Sequence, residues 1–478
     1  MGRAPGLRDL RLRVAPGREL VTGWGRASPT AATVLRPRTR SEVEELISGG
    51  NGTAAGRRIA RGLGRSYGDA AQCAGGVVVD CTGLNAVLEL DEEAGLLRAE
   101  AGASFDALLK LLVPRGYFVP VTPGTRFVTL GGAIASDIHG KNHHVDGSLA
   151  AHVEELRLVT PLGSITCGPG HNEDEFAATC GGMGLTGVIT EATLRLLPIE
   201  TSHMVVDTER AKDLDSCMSL LADERGRYRY SVAWIDGIAS GVALGRAVLT
   251  RGDHAKRSDL PAAGRQDPLS YRPRQRLTLP VEPPVSLLNP LSIAAFNEMW
   301  YRKAPRHRVG GLEPIAGFFH PLDGVGRWNL LYGPKGFTQY QFVVPFGAEA
   351  AVRAVLERLV SARVAFFAVL KCFGPAGSGH LSFPAEGWTL AVDVPLGSNG
   401  LAELLDALDT VVAEAGGRIY LSKDGRLRPE FFESMYPRFG EWASIRARLD
   451  PEGVLSSDLG RRLGLSDSSR AQAGAVLA

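Results

Sequence analysis

The sequence has no Cys-x-x-Cys pair, no uninterrupted apolar run long enough to cross a bilayer, and almost no net charge. Its six cysteines, Cys73, Cys81, Cys167, Cys180, Cys217 and Cys372, lie far apart. Neither a zinc site nor a disulfide framework is signalled, and six thiols fit a reducing compartment. The most apolar stretch, Leu359 to Phe373, is interrupted by Arg363 and Lys371, so no membrane span is expected. The first twenty residues carry Arg3, Arg8, Arg11, Arg13 and Arg18 without the apolar segment of a signal sequence, and Gly6 breaks the myristoylation pattern after Met1-Gly2. A net charge of +1 argues against a dedicated nucleic-acid binder. The expectation is a chain either cytoplasmic or peripheral to a membrane, with the cell-envelope side left open.

What is present is ample material for folding. A length of 478 residues, 44% of them hydrophobic, exceeds one core and predicts two domains, one of them discontinuous in sequence. The 58 glycines indicate tight turns and close backbone approaches. The most informative stretch is Arg61-Gly62-Leu63-Gly64-Arg65-Ser66-Tyr67-Gly68-Asp69. It follows a short strand, Arg58 to Ala60, and its three glycines let backbone N–H groups point outward, as an anion-binding loop requires.

Along the chain, Ser41 and Glu44 have capping-box spacing before a short helix. Gly76 to Asp80 reads as a buried strand, Val87 to Ala101 as a hairpin turning at Asp91-Glu92-Glu93, and Ser104 caps a helix that Pro114 ends. Gly131-Gly132 opens a small-residue helix whose N–H groups could face a pyrophosphate. After it come His139, Lys141, His143 and His144, a solvated polar turn or part of a site. His139, His143 and His144 lack a carboxylate or thiol to complete a familiar ligand set, so no metal is expected. Gly182-Met183-Gly184-Leu185-Thr186-Gly187 matches G-x-G-x-x-G, but a helix over Glu173 to Thr179 precedes it and a strand from Val188 follows. That order excludes a Rossmann fingerprint, and the glycines are read as letting the backbone pass a flat ligand.

Beyond Pro198 a second α/β unit is expected, with strands around Tyr228 to Trp234, Tyr340 to Pro345 and Leu390 to Pro395. Within it, residues 251–310 hold 8 of the 28 prolines and 11 Lys/Arg against 5 Asp/Glu. Such a stretch reads as a solvated insertion or as a mobile basic flap over an anionic or lipid-phosphate substrate. Gly416 to Asp424 reads as a turn, a short strand and an exposed polar end. Lys423 taken alone is an ordinary surface lysine, although a lysine just past a strand end can reach a cofactor. A helical, Arg-rich tail follows from Glu430.

The ordered set GLGRSYGD, PGT (123–125), GGAIASDIHGKNHH (131–144), GGMGLTG, YQF (340–342), FGPAG (373–377), LSKD (421–424) and SDLGRRL (457–463) resembles the FAD-binding oxidoreductases of the vanillyl-alcohol oxidase class. The resemblance spans residues 20–463 and is narrowest to the decaprenylphosphoryl-β-D-ribose 2-oxidase family of actinobacteria. It implies an α+β, two-domain fold with the substrate domain inserted between two halves of the FAD domain: 14–201 and 418–465 around 202–417, with 466–478 as a disordered tail. It implies FAD contacts from Arg61, Gly62, Leu63, Gly64, Arg65, Ser66 and Tyr67; Gly124 and Thr125; Gly131, Gly132, Ala135, Ser136, Asp137, His139, Gly140 and Asn142; Gly182, Gly184, Gly187, Val188 and Ile189; and Tyr420 and Lys423. Where the wider class tethers flavin through a histidine before the loop serine, this chain has Arg65, so FAD is expected to be non-covalent.

The resemblance further implies Lys423 beside the flavin, with either His139 or Lys423 handling the hydroxyl proton. Its implied substrate residues are Tyr67, Lys141, Trp234, Gln339, Gln341 and Lys371. The implied reaction is oxidation of the 2-hydroxyl of a polyprenylphosphoryl ribose, the first half of an epimerisation for cell-wall arabinan. Its expected partners are a separate NAD(P)H-dependent keto-reductase, quinone or oxygen as electron acceptor, and a membrane surface. A soluble alditol or sugar-lactone oxidase, and a flavin-binding scaffold without turnover, are the competing readings. One departure stands out: mycobacterial members carry asparagine and cysteine where this chain has Thr389 and Ala391, and without that thiol covalent nitroaromatic inhibitors should form no adduct.

Overall fold

A computed structural model describes residues 17–48, 56–223 and 225–466. The arginines at 3, 8, 11 and 13 and residues 467–478 of the expected tail lie outside the described residues. In the first half, the strands Thr30–Leu35, Val77–Asp80 and Arg58–Arg61 lie side by side in parallel, with Glu19–Val21 antiparallel at the edge. Val78 and Val79 are fully buried, as parallel strands covered on both faces require. A second, antiparallel sheet runs Val87–Asp91, Leu96–Glu100, Val188–Arg195, Val153–Thr160, Gly163–Cys167.

Local signals place most helices. Ser104 Oγ accepts the Ala107 N–H and caps Phe105–Leu112. The helix Glu173–Thr179 does precede the G-x-G-x-x-G string and the strand Val188–Arg195 does follow it. The helix Arg40–Ser48 starts earlier than its expected box: Thr39 Oγ1 accepts the Glu42 N–H at 3.2 Å and Glu42 Oε2 accepts the Arg38 N–H at 2.6 Å. The motif is therefore Thr39-x-x-Glu42, not Ser41-x-x-Glu44, because both pairs have the same spacing and only one can stand at the chain's entry.

The second unit is an eight-stranded sheet in the order His307–Pro314, His203–Ala211, Ala247–His254, Tyr230–Asp236, Phe367–Phe373, Gly387–Pro395, Phe337–Val344, Arg418–Ile419. Every pairing is antiparallel, which makes the unit α+β rather than α/β. The helices Leu214–Asp223, Glu349–Ser361 and Leu401–Glu414 pack on the sheet, burying residues such as Leu356, Leu359, Leu405 and Leu408. Residues 251–310 begin inside this sheet, where Arg251 is buried and paired with Glu209 at 2.7 Å. They also contain a 14-residue helix, Pro290–Lys303, capped by Asn289 with Pro290 at its start.

After Arg418–Ile419 the chain leaves the sheet and returns to the first half through the helices Pro429–Met435, Phe439–Leu449 and Asp458–Arg462. Trp442 is fully buried and donates to the Ala178 carbonyl at 3.0 Å. Backbone bonds from Arg58 N to Val454 O and from Ser456 N to Arg58 O, both 2.8 Å, attach the C-terminal segment to the strand that feeds the Gly-rich loop.

Candidate active site

The loop after Arg58–Arg61 is held in shape from beneath. The Arg61 guanidinium folds under it and donates to the carbonyls of Thr22 (2.7 Å) and Ala71 (3.1 Å). Gly64 has φ +64°, and a Cβ there would stand 2.2 Å from that guanidinium. Gly62 rests against Thr129, where a Cβ would lie 2.1 Å from Oγ1. Among the described residues, the N–H groups of Leu63, Gly64, Arg65 and Ser66 have no protein acceptor. Successive free N–H groups around a left-handed residue form an anion-binding concavity, so the loop fits a pyrophosphate.

The helix Leu130–Ala135 does not offer the second set of N–H groups expected of it. Leu130 N donates to Ala103 O at 2.9 Å, Gly131 N to Ala101 O at 2.7 Å, and Gly132 N to Thr129 Oγ1 at 3.2 Å. Gly131 instead permits close packing, since a Cβ would stand 2.8 Å from that of Ala101. The glycines of the 182–187 string also answer to protein: a Cβ on Gly182 would strike the Ala178 carbonyl and one on Gly187 the Leu158 side chain, while Gly184 is left-handed at φ +75°. Gly124 has open space beside its Cα, and Thr125 Oγ1 donates to Asp323 at 2.7 Å.

The substrate-side candidates converge because strand side chains alternate faces. Trp234 pairs with Val369, Val369 with Ala391, and Ala391 with Gln341, which puts these four in one row across the sheet. Two residues along each strand on the same face are Lys371 opposite Thr389, and, in the other direction, Asp393 opposite Gln339. The first half supplies His139 against this face. The Gln341 amide lies 3.0 Å from His139 Nε2, and Lys371 Nζ lies 3.1 Å from Nδ1. Burial, and then the Lys371 charge, hold His139 well below its usual pKa. A neutral ring has one acceptor nitrogen; with Lys371 donating to Nδ1, Nε2 carries the proton and the Gln341 amide oxygen must face it.

The segment expected as an exposed polar end is buried. Tyr67 N donates to Ser422 O at 2.9 Å, which ties the Gly-rich loop to the residues around Lys423. Lys423 Nζ then sits 3.9 Å from the centroid of the Tyr67 ring. Tyr420 donates through its hydroxyl to Ser136 O at 2.9 Å and stacks on Phe383. Lys141 Nζ lies 4.1 Å from the Phe318 ring centroid and donates to the Phe318 carbonyl. Burial lowers Lys371 to about 7, reinforced by Lys423 and then Lys141, and burial lowers Lys141 to about 8. Burial also lowers Lys423, against the pull of Asp393. Lys371, repelled by both other lysines, makes with them a site for an anion.

Over 452 residues the chain is 43% identical to the decaprenylphosphoryl-β-D-ribose oxidase of Mycolicibacterium smegmatis, an overlap covering 93% of this chain and 97% of that one. The chain belongs to this oxidase family. The family profile of an FAD-binding domain matches residues 31–168, and that of D-arabinono-1,4-lactone oxidase matches residues 395–463. An uncharacterised protein of Streptomyces coelicolor is 40% identical over 75% of this chain and 99% of its own length. An L-gulono-1,4-lactone dehydrogenase of Mycobacterium tuberculosis is 32% identical over only 36% and 39% of the two chains. FAD is the cofactor of this oxidase, an FAD-dependent oxidoreductase.

Several expected FAD-contact residues of this oxidase have their side chains engaged by protein. The buried Asp137 carboxylate accepts from Ser148 (2.7 Å), the Ala150 N–H (3.0 Å) and Ser382. Asn142 donates to Pro120 O and Asp146, and Val188 and Ile189 are core residues. Arg65 donates to Leu63 O and lies over the Trp24 ring at 4.2 Å. The residues not foreseen are Asp393, Tyr332, Thr389 and Asp323. Asp393 accepts from Gln339 at 2.6 Å and from the Tyr332 hydroxyl at 3.1 Å, and its pKa is raised by burial against those bonds and Lys423. Thr389 lies 3.2 Å from the Gln341 amide. Asp323 binds Thr125 and the Arg126 N–H at 2.8 Å. A lone aspartate in the apolar strand 389–395 was the available signal for Asp393. Among the described residues no group of His, Cys, Asp and Glu could hold a metal, and all six cysteines are free and buried.

Proposed function

We propose that this oxidase removes hydride from C2 of a polyprenylphosphoryl ribose, converting the 2-hydroxyl to a ketone. The observation that carries this reading is the set of half-buried lysines Lys141, Lys371 and Lys423 gathered with Gln339, Gln341 and His139 at one face of the sheet. Ammonium groups suit the phosphate, and the amides suit sugar hydroxyls. FAD, when bound, supplies the hydride acceptor. Lys423 holds positive charge where the Gly-rich loop meets the sheet, and Tyr67 covers its ammonium. His139, neutral and hydrogen-bonded at both nitrogens, orients Gln341 and Lys371 and has no lone pair free to take the hydroxyl proton.

A lipid-linked substrate is met at a membrane, so peripheral contact with a bilayer belongs to this reading, as does a separate NAD(P)H-dependent reductase that would reduce the ketone. Electrons leave to quinone or oxygen. The 395–463 match to a lactone oxidase supports the alternative of a soluble alditol or lactone oxidase. Anaerobic bleaching of the flavin separates the two: decaprenylphosphoryl ribose bleaches it under the first reading, and free alditols or lactones do so under the second. Because Arg65 has no nucleophilic ring nitrogen to form a tether, acid precipitation should release all FAD into the supernatant. Yellow colour retained in the pellet would contradict this.

A further inference from the structure

The helix Pro290–Lys303 buries a polar side chain and leaves large apolar ones in solvent. Its inward side carries Asn297, fully buried and donating to Asp236 at 2.7 Å, and Ile293, packed in a cluster with Tyr67, Tyr332 and Phe337. Its outward side carries Leu291, 83% exposed, and the exposed Met299, while Phe296 and Trp300 on its flank are partly exposed and also touch the protein. An ordinary surface helix does the reverse. The preceding segment adds Leu277, Val281, Val285 and Leu287, and the edge strand His307–Pro314 adds Val309 and Leu312. Residues 277–312 thus hold ten of the seventeen large apolar side chains exposed among the described residues, a concentration that marks an interaction surface.

Charge identifies the partner. Residues 272–308 contain seven Arg and Lys against two Glu. Both glutamates are taken, Glu282 by Arg26 and Glu298 by Arg246 and Arg302. Arg272, Arg274, Arg276, Lys303 and Arg306 have no carboxylate partner among the described residues. Exposed Leu291 and Met299, flanked by partly exposed Phe296 and Trp300 and by unneutralised basic residues at both ends, make the composition that an anionic bilayer holds.

We propose that this helix is the membrane-seated cover of the active site, with its outer face in the headgroup region of an anionic bilayer. Trp300 stacks on Phe296 and lies 6.4 Å from Trp234, and Phe296 meets Phe367 of the site-bearing sheet. Apolar surface therefore runs from the bilayer-facing side to Trp234. A prenyl chain can stay in lipid while its sugar phosphate reaches the lysines. This rests on the lipid-linked substrate proposed above.

The test uses the FAD-loaded full chain and the double variant Leu291→Glu/Met299→Glu, which changes two exposed positions and should keep the flavin spectrum and Tm. Wild type is expected to co-sediment with phosphatidylcholine vesicles containing 30% phosphatidylglycerol and much less with pure phosphatidylcholine; the variant should bind the anionic vesicles at least ten-fold more weakly. Its turnover of vesicle-embedded decaprenylphosphoryl ribose should fall at least ten-fold, with turnover of a short-prenyl, water-soluble analogue unchanged. Equal vesicle binding by variant and wild type would overturn the proposal. So would a wild-type dimer, by light scattering, that the variant abolishes without any vesicle binding by either, since the face would then cover a second copy. Vesicle binding as expected, with neither lipid-linked substrate turned over, would leave the membrane face standing and remove the substrate reading instead.

Discussion

Lys423 combines three properties that a surface lysine lacks: it is half-buried, its ammonium lies over an aromatic ring, and among the described residues the counter-charge acting on it is the buried Asp393. Positive charge held in a water-poor site is worth far more to a developing anion than the same charge in water. Lys423→Ala should lower the rate of flavin reduction on the order of 100-fold while FAD content, read by absorbance, stays unchanged; undiminished reduction would remove the role. Asp393 acts through Lys423 and is a positioning residue. Burial depresses the lysine's pKa and the Asp393 charge pushes it back up, so Asp393→Asn lets it fall further. The ammonium is then lost at lower pH, and the alkaline limb of the kcat/KM profile should move down by about one unit, with little change at pH 6. A merely structural role would lower activity at every pH without moving the limb.

At the scale of elements, the Gly-rich loop is a shape enforced by its neighbours. Gly64→Ala places a methyl group on the Arg61 guanidinium in a left-handed backbone. The backbone alone costs about 1 kcal/mol, and displacing Arg61 would also release its bonds to Thr22 and Ala71. FAD affinity, measured by fluorescence titration of the apoprotein, should weaken about ten-fold, more than the loss in Tm implies, because the change distorts the N–H groups themselves. The existence of this loop was legible from Arg58 to Asp69 alone, as were the Ser104 cap and the helix-before, strand-after context of Gly182 to Gly187, since each rests on residues adjacent in sequence. What escaped the sequence depended on distant chain. The N–H groups of Leu130 and Gly131 are consumed by the carbonyls of Ala103 and Ala101, and Lys423 is covered by Tyr67 more than 350 positions earlier. Asp393 became visible only when strand register set it opposite Gln339.

Over the whole molecule, the chain leaves its first half near residue 200 and returns after Ile419, so the site exists only if the returning segment is fastened to the loop it completes. Arg462 does this. It reaches Asp69, at the end of the Gly-rich loop, and Asp424, next to Lys423, at 2.9 Å each, and donates to Leu427 O at 2.7 Å. One guanidinium thus joins three stretches of sequence around the Gly-rich loop and Lys423. Arg462→Ala leaves two mostly buried carboxylates facing each other, and breaking a buried pair in this way costs about 3 kcal/mol or more. Chemical denaturation at pH 7 should show that loss together with faster FAD release. The deficit should shrink as pH falls through the carboxylate range, because burial already raises Asp69 and protonation removes the repulsion that the missing cation had balanced. A deficit constant from pH 7 to pH 4 would show that Arg462 contributes through packing rather than charge.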